Sequence, residues 1–155
     1  MQLTAPQARD RFAAEPVARL ATVSEDGAPH LVPVTFALLT ESTESTELTG
    51  ATGVDRLVVA VDHKPKTTTR LRRLGNVRAE PRVCFVADYY TSDWTRLWWA
   101  RADATATVLE SDSDDRLRKS ALDALSAKYP QYREVRPSGP VIVATVTRWS
   151  GWAHR

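Results

Sequence analysis

The sequence predicts a mainly β fold, a small antiparallel β-barrel with helices packed outside it. Three observations carry this expectation. Segments rich in β-branched and aromatic residues outnumber helical ones. They do not alternate with helices in the order a parallel sheet needs. The run from Arg96 to Leu109, RLWWARADATATVL, is long and alternates, as a strand spanning a barrel does.

Taken in order, TAPQARDRFAAE (Thr4 to Glu15) reads as a short helix with Thr4 as its N-cap and Pro6 in its first turn. VARLATV (Val17 to Val23) and APHLVPVTFALL flank SEDG, a polar turn ending in glycine, and read together as a hairpin. TESTESTELTGATG (Thr40 to Gly53) is polar and of low complexity. It reads as a mobile, solvated insertion that a short turn could replace. RLVVAVD (Arg56 to Asp62) is a nearly continuous apolar run, a strand buried on both faces. A helix is expected from Pro65 through Arg73, ended by Gly75. RVCFVADYY is the next strand, with Cys84 alternating inward into the core. SDSDDRLRKSALDALSAKYP (Ser111 to Pro130) is the clearest helix, acidic at its start and closed by Pro130. VIVATVTRW (Val141 to Trp149) completes the sheet.

Global numbers narrow the function classes. The chain has 155 residues and 43% hydrophobic residues, enough for one domain with a real core. A formal net charge of +2 argues against a wholesale nucleic-acid coat protein. One cysteine gives neither an internal disulfide nor a metal framework, which suits a reducing compartment. His30, His63 and His154 share no metal-ligand spacing. The opening residues lack a signal-peptide layout and no run is long enough to cross a bilayer, so a cytoplasmic protein without membrane partners is expected.

Against this balance one stretch stands out. DHKPKTTTRLRRLGN (Asp62 to Asn76) carries Lys64, Lys66, Arg70, Arg72 and Arg73, with no acid between Lys64 and Arg78. The six glycines are scattered, so neither a P-loop nor a dinucleotide fingerprint is present. A phosphate here would be held by side chains and a helix N-terminus, with Lys64, Lys66, Thr67 and Thr68 supplying ammonium and hydroxyl groups. Spacing sets Leu71 and Leu74 toward the core and Arg70 and Arg73 together on another face. The same pattern also fits a solvated basic helix. Nor is there a Ser/His/Asp or Cys/His arrangement.

The segments RLATVSEDGAPHLVPVTF, VDHKPKTTTRLRRLGNVRAEPRVCFVADYY and DWTRLWWARADATATV together resemble the flavin/deazaflavin oxidoreductases related to pyridoxamine 5′-phosphate oxidase. Most closely they resemble the actinobacterial branch that uses the deazaflavin coenzyme F420. The resemblance runs from about Arg19 to Trp152, apart from the insertion. It implies an FMN-binding-protein-like split β-barrel, a homodimer, and a cofactor in a groove between subunits. It assigns Leu20, Ala21 and Thr22 to the strand lining the ring, largely through backbone, and Val32, Pro33 and Val34 to the strand beneath it. Lys64, Lys66 and Thr67 match the phosphate site, with Arg70 and Arg73 extending the charge. Trp99 and Arg101 match positions the dimer partner supplies, and Trp152 flanks the groove. Pyridoxamine phosphate oxidases proper carry a serine-arginine-lysine run, a glutamine near the place of Trp99 and a C-terminal tryptophan-arginine signature. This chain has HKPK and Trp-Trp instead, which points away from the vitamin substrate.

The implied function is hydride transfer from reduced coenzyme F420 to an electron-poor small organic substrate, with FMN as the alternative cofactor. Such an enzyme needs no catalytic side chain of its own, and none is assigned. A non-catalytic flavin, deazaflavin or tetrapyrrole carrier is a second reading. Nucleic-acid binding through Arg70, Arg72, Arg73 and Arg78, with tryptophans stacking on bases, is a third; the first reading, which has no nucleic-acid partner, is the one expected.

Overall fold

A computed structural model describes residues 1–41, 53–61 and 68–155. The elements in chain order are α1 (Ala5–Ala13), β1 (Ala18–Val23), β2 (Pro29–Val34), β3 (Ala37–Glu41), β4 (Val54–Ala60), α2 (Thr68–Ala79) and β5 (Arg82–Tyr89). A 3₁₀ turn (Trp94–Arg96), β6 (Trp98–Leu109), α3 (Arg116–Lys128), α4 (Pro130–Glu134) and β7 (Val141–Ala153) follow. Among the described residues no helix is long and apolar enough to cross a membrane.

The strands form one antiparallel sheet of seven in the order β2-β1-β5-β6-β7-β4-β3. Laid flat, its two edges would stand roughly 29 Å apart, six spacings of about 4.8 Å. Yet the edge strands β2 and β3 are consecutive, joined only by Thr35 and Phe36, and so few residues reach at most about 11 Å. The sheet must therefore curl until its edges meet. One buried cluster confirms the curl, because it draws on the whole sheet: Leu20, Val34, Leu57, Phe85, Ala102 and Ile142 lie in it, with Leu38 packed against it. No ladder joins β2 to β3 among the described residues, so the barrel is split along that seam.

Helices close what the sheet leaves open. Thr4 caps α1 through a reciprocal capping box with Gln7 (3.3 and 2.9 Å), which fixes the entry of the chain. Ala8 and Phe12 of α1 and Leu74 and Val77 of α2 belong to the barrel's own core. These two helices thus seal the interior instead of lying wholly outside. β4 is apolar on both faces because it serves two cores. Leu57 and Val59 enter the barrel, while Val58 and Ala60 pack under Ala121, Leu122 and Leu125 of α3.

Several expectations need correction. APHLVPVTFALL is two strands on opposite sheet edges, divided at Thr35–Phe36. Cys84 faces outward: Val83, Phe85 and Ala87 are the buried alternation of β5, and Cys84 is half-buried on the other side. The strand expected to end at Trp149 runs on to Ala153. Pro130 closes α3 but also opens α4. Thr40 and Glu41 belong to β3, and Gly53 precedes β4; residues 42–52 of the proposed insertion lie outside the described residues.

Gly75 does not end its helix. α2 continues to Ala79 because Leu74, Asn76 and Val77 are buried and hold the backbone helical until Pro81. A Cβ on Gly75 would meet nothing within 4 Å, and its φ is not positive. Gly75→Ala should therefore stabilise the protein by about 0.5–1 kcal/mol, raising the melting temperature by about 1–4 °C. A lower melting temperature in calorimetry would contradict a solvated mid-helix glycine.

Candidate functional site

The seam opens into a cleft of about 220 Å³ lined by Pro33, Val34, Thr35, Val59, Ala60, Val61, Arg73 and Tyr132. Its position follows from register. β3 begins at Ala37 opposite Val58, so Val59 to Val61 run past it with no β3 partner. On their other side β7 and Pro140 hold them, through Val59–Ile142 and Ala60–Val141 pairing and the Val61 amide bond to Pro140 O at 2.9 Å. The cleft is a half-polar slot between two strand ends that do not pair.

Polar groups enter it from the helices. α4 brings Tyr132, whose hydroxyl lies 2.9 Å from Thr35 Oγ1. Neighbouring Tyr129 exchanges bonds with both the Phe36 amide (3.0 Å) and carbonyl (2.9 Å), which pins the corner that makes the seam. α2 brings the half-buried Arg73. Its charge reaches further: burial first, then Arg72 and Arg73, hold His30 below the ordinary imidazole pKa. His30 Nδ1 is buried, with no hydrogen-bond partner among the described residues. Arg72 and Arg73 in the middle of α2 thus lie within electrostatic reach of His30 on β2. That reading was hidden in the sequence, where His30 had no spacing to single it out.

A second surface lies on the outside of β2, β1, β5, β6 and β7. Cross-strand rows put Leu31, Ala21, Cys84 and Asp103 in line, then Pro33, Arg19, Val86 and Arg101, then Asp88, Trp99 and Trp152. Leu31 is 66% exposed. An Arg19–Asp88 ion pair (2.9 Å) joins β1 to β5 on this face, and Arg101 Nε bonds Asp103 (2.9 Å) along β6. Burial pushes the Cys84 thiol up in pKa, with Arg101 pulling the other way.

Residues 4–153 match the family profile described as pyridoxamine 5′-phosphate oxidase. The chain belongs to the pyridoxamine 5′-phosphate oxidase family. No curated protein matches it. Among solved structures, it is similar to an FAD-binding protein from Mesorhizobium loti at 20% identity, covering 97% of this chain and 95% of that one, with a TM-score of 0.64. An FAD-binding protein from Mycobacterium smegmatis matches at 13% identity over 98% of this chain and 96% of that one, with a TM-score of 0.57. A heme-storage protein from Vibrio cholerae matches at 14% identity, over 96% and 92%, with a TM-score of 0.64. At these identities the likeness is one of fold.

Within this pyridoxamine 5′-phosphate oxidase family member, the residues picked out by sequence fall into separate groups. Pro33, Val34 and Arg73 line the cleft, and Val32 packs on the core beside it. Leu20 is wholly buried, and Thr22 is buried with its hydroxyl accepting from Asn76 Nδ2 at 3.0 Å; Ala21 points to the outer face. Ladders to β2 and β5 hold this stretch of β1 on both sides. Trp99, Arg101 and Trp152 also lie on the outer face, away from the cleft of the same chain. Lys64, Lys66 and Thr67 fall outside the described residues, as does the side chain of Arg70. Tyr132 and Thr35 were missed, because a helix end and a two-residue corner meet only through the fold.

Proposed function

We propose that this chain is an oxidoreductase that binds coenzyme F420 in the seam of its barrel, with FMN as the competing cofactor. The carrying observation is the cleft itself: a half-polar slot with a guanidinium and two hydroxyls beside Val34 and Val59, beneath a basic helix. A planar ring with an anionic substituent fits such a donor set. The FAD-binding structures of the same fold support a flavin-type ring. The deazaflavin is favoured because positive charge is spread along the Lys64 to Arg73 stretch, matching a phosphodiester followed by a poly-glutamate tail better than a single phosphate. When bound, the reduced coenzyme would supply a hydride to an electron-poor C=C, C=N or similar group. The chain's own residues bind and orient: Arg73 holds negative charge, while Val34 and Val59 exclude water.

One chain offers about 220 Å³ at the seam, below the roughly 300–1,000 Å³ of complete small-molecule sites. A homodimer completes it in this reading. The outer face, with Leu31, Val86, Trp99 and Trp152, meets a second copy and brings Trp99 and Arg101 to the partner's seam. Such an interface buries more than about 1,600 Å² in total. Sedimentation at micromolar concentration showing only monomer would sink it.

Parallel titration of purified apo-protein with coenzyme F420 and FMN tests the assignment. Lys66→Ala should weaken deazaflavin binding by about 1–3 kcal/mol, the scale of a charge-assisted hydrogen bond. Arg73→Ala, which removes the half-buried guanidinium of the cleft wall, should cost a comparable amount and keep most of it as salt rises. Tighter binding of FMN than of the deazaflavin, or indifference of both to Lys66→Ala, overturns the cofactor assignment. The heme-storage structure favours a second reading, a non-catalytic tetrapyrrole carrier. A heme absorption band after titration, with no substrate-dependent bleaching of a deazaflavin, would select it.

A further inference from the structure

We propose that the Trp94–Trp98 segment and the end of β7 form a separate site for a small phosphate or pyrophosphate ester. The segment DWTRLWW stood out in the sequence, and the seam leaves most of it unused. Here it makes one wall of a cleft of about 410 Å³, whose principal groups are Arg11, Tyr89, Arg96, Trp98, His154 and Arg155. That volume lies within the range of small-ligand sites.

Three guanidiniums and an imidazole line this cleft, and no carboxylate side chain does. Six arginines of other surfaces, Arg9, Arg19, Arg78, Arg82, Arg101 and Arg136, each pair with an aspartate or glutamate. Arg11, Arg96 and Arg155 make no hydrogen bond or ion pair among the described residues. Asp93, the acid nearest in sequence to Arg96, accepts from the amide (3.1 Å) and hydroxyl (2.6 Å) of Thr95, and its charge acts on Arg96 and His154 without lining the cleft.

The cations are also held in place. Tyr89 and Trp98 are a cross-strand pair of β5 and β6, and each carries a guanidinium over its ring. Arg96 stands 5.1 Å from the Tyr89 centroid and Arg11 5.6 Å from that of Trp98. The third wall is tied on by backbone: the His154 amide donates to Leu97 O at 2.8 Å, and Trp98 pairs with Ala153. Two guanidinium forks held over aromatic rings, with an imidazole and a third fork lining the same cleft, suit phosphate oxygens, which accept several directed N–H bonds at once. A carboxylate offers fewer acceptors for that array.

Calorimetric titration of the full chain with inorganic pyrophosphate and with citrate tests the site. Pyrophosphate should bind saturably at physiological salt and more tightly than citrate. Arg11→Gln and Arg96→Gln should each weaken it about tenfold, while Arg148→Gln, on another face, leaves it unchanged. Binding of FMN and coenzyme F420 should be the same in all three variants, so failure here is distinguishable from failure of the cofactor assignment. The proposal is overturned by the absence of saturable pyrophosphate binding, by an equal loss in Arg148→Gln, or by a parallel loss of cofactor affinity. Displacement of pyrophosphate by a single-stranded oligonucleotide more readily than by citrate would make the surface a nucleic-acid contact, and would overturn it too.

Discussion

Asp55→Ala should lower the stability of the protein by about 3 kcal/mol and its melting temperature by about 6–12 °C. Asp55 opens β4 with its side chain only 12% exposed, and its two oxygens serve three elements. Arg9 of α1 donates from Nε (2.8 Å) and Nη2 (3.2 Å), Trp149 of β7 from Nε1 (2.9 Å), and Thr40 of β3 from its hydroxyl (3.1 Å). Removing the carboxylate strands a half-buried guanidinium and an indole N–H together. That loss is larger than the lost bonds alone would give, because desolvated donors are left unmatched. The full figure for a wholly buried pair does not apply, since Arg9 is 31% exposed.

The same network sets an acid dependence. Burial raises the Asp55 pKa, but the bonds from Arg9 and Trp149, the Arg9 charge and Thr40 outweigh it, and the net shift is downward. A folded-state pKa below the unfolded one means the stabilisation is complete above the ordinary carboxylate pKa. It is lost as pH falls through the lower, folded value. Chemical denaturation of parent and Asp55→Ala should therefore differ at neutral pH and converge in strong acid. A difference below about 1 kcal/mol at pH 7 would show that the network carries no weight.

This network also marks where reading the sequence stops. Arg9, Asp55 and Trp149 are each ordinary in their local segments, and only barrel closure makes them neighbours. What could be read was local chemistry with a fixed period. Thr4 capping α1, and the unbroken apolar run of β4 that two cores require, are of that kind. β5 was ambiguous, since Cys84 and Val86 are as apolar as Val83 and Phe85, so alternation alone did not say which face was inside. Thr35–Phe36 carries no glycine or proline to announce that the chain leaves one sheet edge for the other. The cleft depends on that corner. Its lining from β2 and α2 was legible, while Tyr132 and the convergence of charge on His30 were not.

Gly151→Val should be at least as damaging, costing about 3 kcal/mol or more. Gly151 pairs with Ala100 in the long β6–β7 ladder and is buried beneath α1. A Cβ there would sit 2.8 Å from Trp99 O, 3.0 Å from Leu3 Cδ1 and 3.2 Å from Ala8 Cβ. The leucine methyl could swing aside. The Trp99 carbonyl cannot without disturbing the ladder, and Ala8 cannot without lifting α1, which the Leu3 amide also ties to Gly151 O at 2.9 Å. Valine adds two further methyls to a place with no room for the first, so Gly151→Ala should cost less than Gly151→Val, about 1–3 kcal/mol. The sign is opposite to that at Gly75, where the added methyl meets only solvent. The damage should also reach the outer face, because Gly151 lies between Ser150 and Trp152 and is backed by Trp99. If that face mediates dimerisation, Gly151→Ala should weaken self-association in sedimentation under conditions where the variant is still folded. A Gly151→Val protein that melts within about 2 °C of the parent would show that α1 does not approach β7 as closely as these distances require.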